Sequence, residues 1–101
     1  MTKFQEKVYT IVQKIPRGKV LMYAAVARMM KHPAAVRAVG NALNKNSSHD
    51  VPCHRVVRSD GSVGGFNRGT VNKIKLLKSE GVTINSGKVI GSNLLWTPNE
   101  M

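Results

Sequence analysis

A single cysteine, Cys53, sits in the run Val51-Pro52-Cys53-His54-Arg55-Val56-Val57, with a histidine beside it and an arginine one residue further on. That combination can carry nucleophilic chemistry, because a thiol attacks only as its thiolate and a neighbouring base or positive charge favours that form. At the ordinary thiol value near ~8.5, only a few per cent is ionised at neutral pH. A fall to about 7 would ionise half of it, on the order of a tenfold gain. The same residues equally suit an inert thiol, since free cysteine is among the most often buried residue types. On these residues alone both readings stand. His32, His49, His54 and Cys53 lack a Cys-x-x-Cys or paired-histidine spacing, so no metal and no other cofactor is expected.

The rest of the chain must position that group. Its 101 residues suffice for one small domain with a modest core, expected to span 1–101 as a single unit. No apolar run approaches transmembrane length, and the first residues lack the apolar stretch of a secretion signal. One cysteine permits no intrachain disulfide, which fits a reducing compartment. A soluble monomer in the cytoplasm or nucleus (nucleoid-associated in a prokaryote), with no membrane partner, is expected. Sixteen Lys and Arg against five Asp and Glu leave a net charge of +11. The basic residues are spread from Lys3 to Lys88 instead of forming a tail, so a folded domain would carry them over its surface. That favours a polyanion such as nucleic acid, with simple solubilising charge as the bland alternative.

Phe4, Val8, Ile11, Val12 and Ile15 recur at helical spacing and predict a helix over 3–14, closed by Pro16 and Gly18. A short helix is predicted from Tyr23 to Met30, broken by His32-Pro33. Pro33 suits the first turn of a further helix running to about Leu43, with Ala35, Val39 and Ala42 or Leu43 on one face. Two short helices joined by a tight turn in a basic chain outline a helix-turn-helix. Asn44 to Asp50 reads as a loop delivering Pro52-Cys53, and Val56-Val57 as a strand ending at Ser59-Asp60-Gly61. Gly61 to Gly69 holds four glycines, so backbone can approach a ligand closely there, although no Walker or dinucleotide fingerprint is present. Thr70 is expected to cap a helix through Glu80 that stops at Gly81. Val82 to Ile84 and Lys88 to Ile90 flank Asn85-Ser86-Gly87 as a small hairpin. The pattern reads as mostly α, with the outline of a helix-turn-helix and a small β-hairpin, or wing.

Pro52-Cys53-His54-Arg55-Val56-Val57 resembles the active-site signature of the O6-alkylguanine-DNA alkyltransferases. Gly18-Lys19-Val20 leading to Tyr23, and Ala35 through Leu43, resemble that family's helix-turn-helix. Gly61 to Phe66, and Lys73 through Leu76-Leu77 to Glu80-Gly81, resemble its active-site loop and last helix. The likeness covers roughly residues 4–84 and implies a mostly α, winged helix-turn-helix-like DNA-binding domain with a small β-hairpin wing. It implies a double-stranded DNA partner carrying O6-alkylguanine, bound through the minor groove with the damaged nucleotide flipped out of the stack. It implies that Cys53 accepts the alkyl group, that His54 relays its proton through a water, and that Glu80 orients His54. Asn46 is then the counterpart of an asparagine bracing the active-site turn. Tyr23 corresponds to the residue that rotates the target phosphate and protonates the leaving guanine. Arg37 corresponds to the finger that fills the vacated stack, and Ala35 and Asn44 fall with it among DNA contacts. Val56, Gly64, Gly65, Phe66 and Asn67 line the implied pocket, with Lys73 in support. Read without the resemblance, Tyr23 is a packed aromatic, Arg37 a solvated helix face and Lys73 a surface charge.

The likeness carries departures. Alkyltransferases normally have an additional N-terminal domain, whereas the compact layout here resembles the alkyltransferase-like proteins, which bind the same lesions with another residue in place of the cysteine. The segment from Gly87 to Pro98 is similar to theirs. The loop from Asn46 to Val51 is shorter than in the enzymes, Met22 stands where a capping serine or threonine is common, and Asn67 and Arg68 replace small residues. Three readings follow: a suicide alkyltransferase, a non-enzymatic lesion-recognition protein that recruits a repair-pathway protein partner, and a general basic DNA-binding module.

Overall fold

A computed structural model describes residues 2–46, 48, 50–64 and 69–91. Helix α1 (Lys3–Gln13) is started by a capping box, with Thr2 Oγ1 accepting from Gln5 N at 3.1 Å and Gln5 Oε1 accepting from Thr2 N at 3.1 Å. Its Val8, Tyr9 and Val12 are buried, and Ile15 just beyond it is buried too. Tyr9 Oη donates to Ala42 O at 2.6 Å, tying α1 to the end of the third helix.

Strand β1 (Leu21–Met22) runs straight into α2 (Tyr23–Met29). Met22 occupies the N-cap and offers no side-chain hydrogen bond, as expected where a serine or threonine is missing. The helix ends in a Schellman motif: Lys31 N donates to Arg28 O at 2.9 Å and His32 N to Ala27 O at 3.0 Å. Lys31 itself takes φ 63°, a left-handed conformation that costs a non-glycine residue roughly 1–2 kcal/mol.

The next helix, α3 (Val36–Asn44), starts three residues later than its sequence pattern suggests. Ala35 N donates to His32 O at 2.9 Å, so Pro33 serves a connecting turn and not a first helical turn. Ala35 is consequently at the cap, only half-buried, while Val39, Ala42 and Leu43 form the buried face.

A 3₁₀ turn over Cys53–Arg55 follows and leads directly into β2 (Val56–Val57). Strands β1 and β2 pair in parallel, Leu21 opposite Val56 and Met22 opposite Val57, a pairing the sequence pattern does not reveal. Helix α4 (Thr70–Ser79) has Gly69 at its N-cap, so Thr70 is its first residue and caps nothing. It also ends in a Schellman motif, with Gly81 at φ 91°, Gly81 N donating to Lys78 O and Val82 N to Leu77 O, both at 3.0 Å. The wing pairs β3 (Ile84–Asn85) with β4 (Lys88–Val89) around a two-residue turn. Ser86 and Gly87 both have positive φ, which a two-residue turn of this hand requires. Asn85 is thus strand, not turn.

Two apolar clusters result. One joins α1, α2 and α3 to Val51, Cys53 and Val56, and the other gathers Val20, Val57, Val63, Leu77 and Val82. Met22 packs against both, at the parallel strand pair. Among the described residues no helix is long and apolar enough to cross a membrane.

Candidate active site

Cys53 opens the 3₁₀ turn because Pro52 precedes it and Arg55 N closes the turn onto Pro52 O at 2.9 Å. The thiol is 6% exposed but not in purely apolar surroundings. Asn46 Nδ2 lies 2.9 Å from Sγ, and Leu43 O lies 3.7 Å away. The amide is a donor and the carbonyl an acceptor, so the first favours the thiolate and the second holds the thiol proton. Asn46 is itself buried and fixed by contacts from Nδ2 to Val51 O (3.2 Å) and Ser48 O (2.9 Å), with Ser48 N donating to Oδ1 at 3.0 Å. One side chain therefore ties the end of the loop to the sulfur.

His54 and Arg55 leave the turn toward the C-cap of α4. Glu80 Oε2 lies 3.0 Å from His54 Nε2. Arg55 grips the same carboxylate, Nε to Oε1 at 2.9 Å and Nη2 to Oε2 at 2.7 Å, and donates from Nη1 to Ile15 O at 2.8 Å. Burial pushes the Glu80 carboxyl upward, but the hydrogen bonds from Arg55 and His54 carry it below the ordinary value. Burial lowers the His54 imidazole, and the pull of Glu80 in the other direction does not restore it. A neutral imidazole beside an ionised carboxylate must carry its proton on Nε2, because the carboxylate has only lone pairs to offer. Nδ1 is then the free basic nitrogen.

Lys73, on α4, is completely buried and donates from Nζ to Val56 O at 2.7 Å. Burial draws its ammonium down to about 8, against an upward pull from Cys53. Its Nζ lies 5.7 Å from the centroid of the Tyr23 ring, the first residue of α2. Burial raises the Tyr23 phenol above its ordinary value, so it stays protonated through neutral pH. Cys53, Asn46, Lys73 and Tyr23 thus share one neighbourhood, with His54 and Glu80 on the flank of the turn.

A family model described as 6-O-methylguanine DNA methyltransferase, DNA binding domain, matches residues 3–82. The chain belongs to this family. Among its relatives, the methylated-DNA–protein-cysteine methyltransferase of Methanothermobacter thermautotrophicus is 42% identical over 84 residues, covering 82% of this chain and 47% of that protein. The bifunctional methyltransferase/endonuclease of Picrophilus torridus is 37% identical over 82 residues, 80% of this chain and 28% of that protein. The chain therefore spans about half or less of these curated relatives. Among solved structures, S. pombe Atl1 in complex with damaged DNA containing O6-carboxymethylguanine aligns at TM-score 0.85 and 34% identity, covering 97% of this chain and 98% of that one. Mycobacterium tuberculosis OGT in complex with DNA aligns at TM-score 0.76 and 37% identity, covering 79% of this chain and 50% of that one.

Other residues singled out from the sequence fall as follows. Arg37 is exposed near the start of α3 and Asn44 exposed at its end, with Ala35 half-buried at the N-cap. Val56 buries its side chain completely in the core, so only its backbone is available to a pocket, and its carbonyl accepts from Lys73. Gly64 is described, with φ +71°. Gly65, Phe66, Asn67, Arg68 and His49 lie outside the described residues. Among those described, no three His, Cys, Asp or Glu side chains cluster as metal ligands.

Sequence reasoning missed the clamp by Arg55 and the cradle beneath Glu80. Arg17 Nη2 donates to Ser79 O at 2.9 Å, and a Cβ on Gly18 would come within 3.2 Å of Glu80 O. The only available signal was arginine next to histidine in the signature, since the 3₁₀ turn aims both at one acceptor.

Proposed function

We propose that this chain takes part in DNA repair by direct reversal, moving an alkyl group from O6 of a guanine in duplex DNA onto Cys53. The observation that carries the reading is the 2.9 Å contact between Asn46 Nδ2 and Cys53 Sγ, in a turn whose next residue is a Glu80-oriented histidine. His54 Nδ1, through a water, takes the thiol proton, and Asn46 and the Lys73 ammonium favour the resulting negative charge. The sulfur attacks the carbon bonded to O6; the carbon–sulfur bond forms as the carbon–oxygen bond breaks. The leaving oxygen's electron pair is met by a proton from Tyr23, giving guanine. O6 lies within the base stack, so the nucleotide must be extruded first, with Arg37 on α3 filling the gap. A thioether has no route back, so each molecule acts once. Intact-mass analysis after incubation with duplex DNA containing O6-methylguanine tests this. One added methyl mass on the peptide bearing Cys53 is expected; intact binding with no added mass rejects it.

A second reading, lesion recognition without transfer followed by recruitment of a repair-pathway protein, is favoured by the near-complete mutual coverage with Atl1. Under it, Cys53→Ala leaves lesion affinity unchanged and the wild-type sulfur stays unmodified.

A further inference from the structure

A groove of about 580 Å³ opens between α1 and the C-terminal end of α2, floored by Ile11, Met29 and Met30 and rimmed by Lys3, Lys7 and Lys31. Helical geometry builds one side of the rim. At about 3.6 residues per turn, Lys3, Lys7 and Lys14 fall within roughly 40° of one another, so a line of lysines follows the exposed side of α1. Ile11, one turn beyond Lys7, is half-buried beside that line.

Lys31 forms the opposite side. Its φ of 63° is one that glycine adopts without strain, and glycine or asparagine is the usual residue at such a helix end. Lys31 N donating to Arg28 O at 2.9 Å fixes the backbone there. A lysine kept against its backbone preference points to a use for its side chain. Lys31 also borders a second hollow of about 500 Å³, walled by Phe4 and Pro33, so the apolar trough continues past it. Among the described residues the ion pairs gather on Glu80, and none engages Lys3, Lys7 or Lys31. Glu6 is the one acidic residue in the groove wall.

Charge and floor together select the occupant. Three lysines against one glutamate call for carboxylates or phosphates, and a floor of isoleucine and methionine offers a phosphate nothing. Methionine is unbranched and polarizable, so it moulds to an inserted apolar side chain. Apolar anchors flanked by acids are what an amphipathic helix presents to a groove. We propose that this groove docks an acidic amphipathic helix of a partner protein, its apolar side on Ile11 and Met29 and its carboxylates toward Lys3, Lys7 and Lys31. Met29 ends the helix that Tyr23 begins, roughly 10 Å along its axis, so the groove stays open while the Tyr23 and Cys53 side is occupied. Docking there needs no transfer to Cys53 and goes beyond the repair reading.

The probe is a synthetic peptide of about 15 residues with leucine at i, i+3, i+7 and i+10 and glutamate at the flanking positions, titrated into the isotope-labelled full chain at physiological salt. A control peptide keeps every glutamate and replaces each leucine by serine. Amide shifts should centre on Ile11, Met29 and Lys31, with the control binding about tenfold more weakly. Changing Lys3, Lys7 and Lys31 together to Glu should cost about tenfold, and a peptide with lysine for every glutamate should prefer that variant to wild type. Lys31→Gly should bind about threefold more weakly yet melt no lower than wild type, which separates the side chain's use from folding. Absence of shifts at these amides, equal binding of the serine control, or unchanged affinity in the triple variant overturns the docking site. Full displacement of the peptide by undamaged duplex assigns the face to nucleic acid and overturns it as well.

Discussion

Arg55 and His54 share one carboxylate: Arg55 Nη2 and His54 Nε2 meet Glu80 Oε2 at 2.7 and 3.0 Å. The sharing makes Glu80 both the brace of the cysteine turn against α4 and the group that sets which histidine nitrogen is basic. The carboxylate is 7% exposed, so neither partner is easily replaced by water.

Breaking the brace should show first in stability. Arg55→Ala leaves a buried carboxylate with half its partners, an effect of about 3 kcal/mol or more. Arg55→Lys cannot reproduce the two-pronged contact and is expected to lose more than half as much. Urea denaturation of both variants beside wild type provides the measurement.

Glu80→Gln should separate orientation from folding. Glutamine retains the shape and an acceptor oxygen but no charge, so His54 loses its fixed tautomer. Methyl transfer to Cys53 is expected to slow on the order of 10²-fold, the scale of a general-base contribution, with lesion binding within about twofold of wild type. Single-turnover rates across pH 5–9 read both the loss and the altered profile.

Acid should destabilise the protein in two steps. His54 has its folded value below the ordinary 6.5, so the unfolded chain binds that proton first and stability falls as pH drops below about 6.5. Glu80 has its folded value below the ordinary 4.5, so its stabilisation is present above about 4.5 and is lost as pH falls through the folded value. Melting temperature against pH should show both slopes in wild type; in Glu80→Gln the second disappears and the first grows, because the carboxylate that pulls the His54 imidazole upward is gone.

Alkali should do the opposite at first. The Lys73 ammonium is lowered to about 8 in the fold against 10.5 unfolded, so between those values the unfolded state holds the extra proton and stability rises with pH. The gain is up to about 3 kcal/mol, and Lys73→Met should abolish it. Above pH 10 the raised phenols of Tyr9 and Tyr23 act with the reverse sign and cap the rise.

Asn46→Ala removes the donor to Cys53 and leaves Val51 O without that partner. A stability loss of about 1–3 kcal/mol is expected. Alkylation of Cys53 by iodoacetamide should require higher pH than in wild type, which distinguishes loss of thiolate support from mere loosening.

The chemistry-bearing residues and most elements could be read from the sequence by itself. Helical spacing marks α1, glycine marks the end of α4, and proline before Cys53-His54 marks a turn, because these features depend on neighbours a few residues away. The starts of α3 and α4 could not, since Pro33 suits a connecting turn as well as a first helical turn, Thr70 suits a first helical residue as well as a cap, and only the surrounding hydrogen bonds choose between them. What the tertiary structure decided are relations across long separations. The parallel pairing of Leu21-Met22 with Val56-Val57 brings Tyr23 beside Arg58, and the Schellman end of α4 delivers Glu80 to His54 and Arg55. Two-residue strands carry almost no local signal, and a carboxylate's partner 25 residues away is set by packing, which no spacing rule encodes.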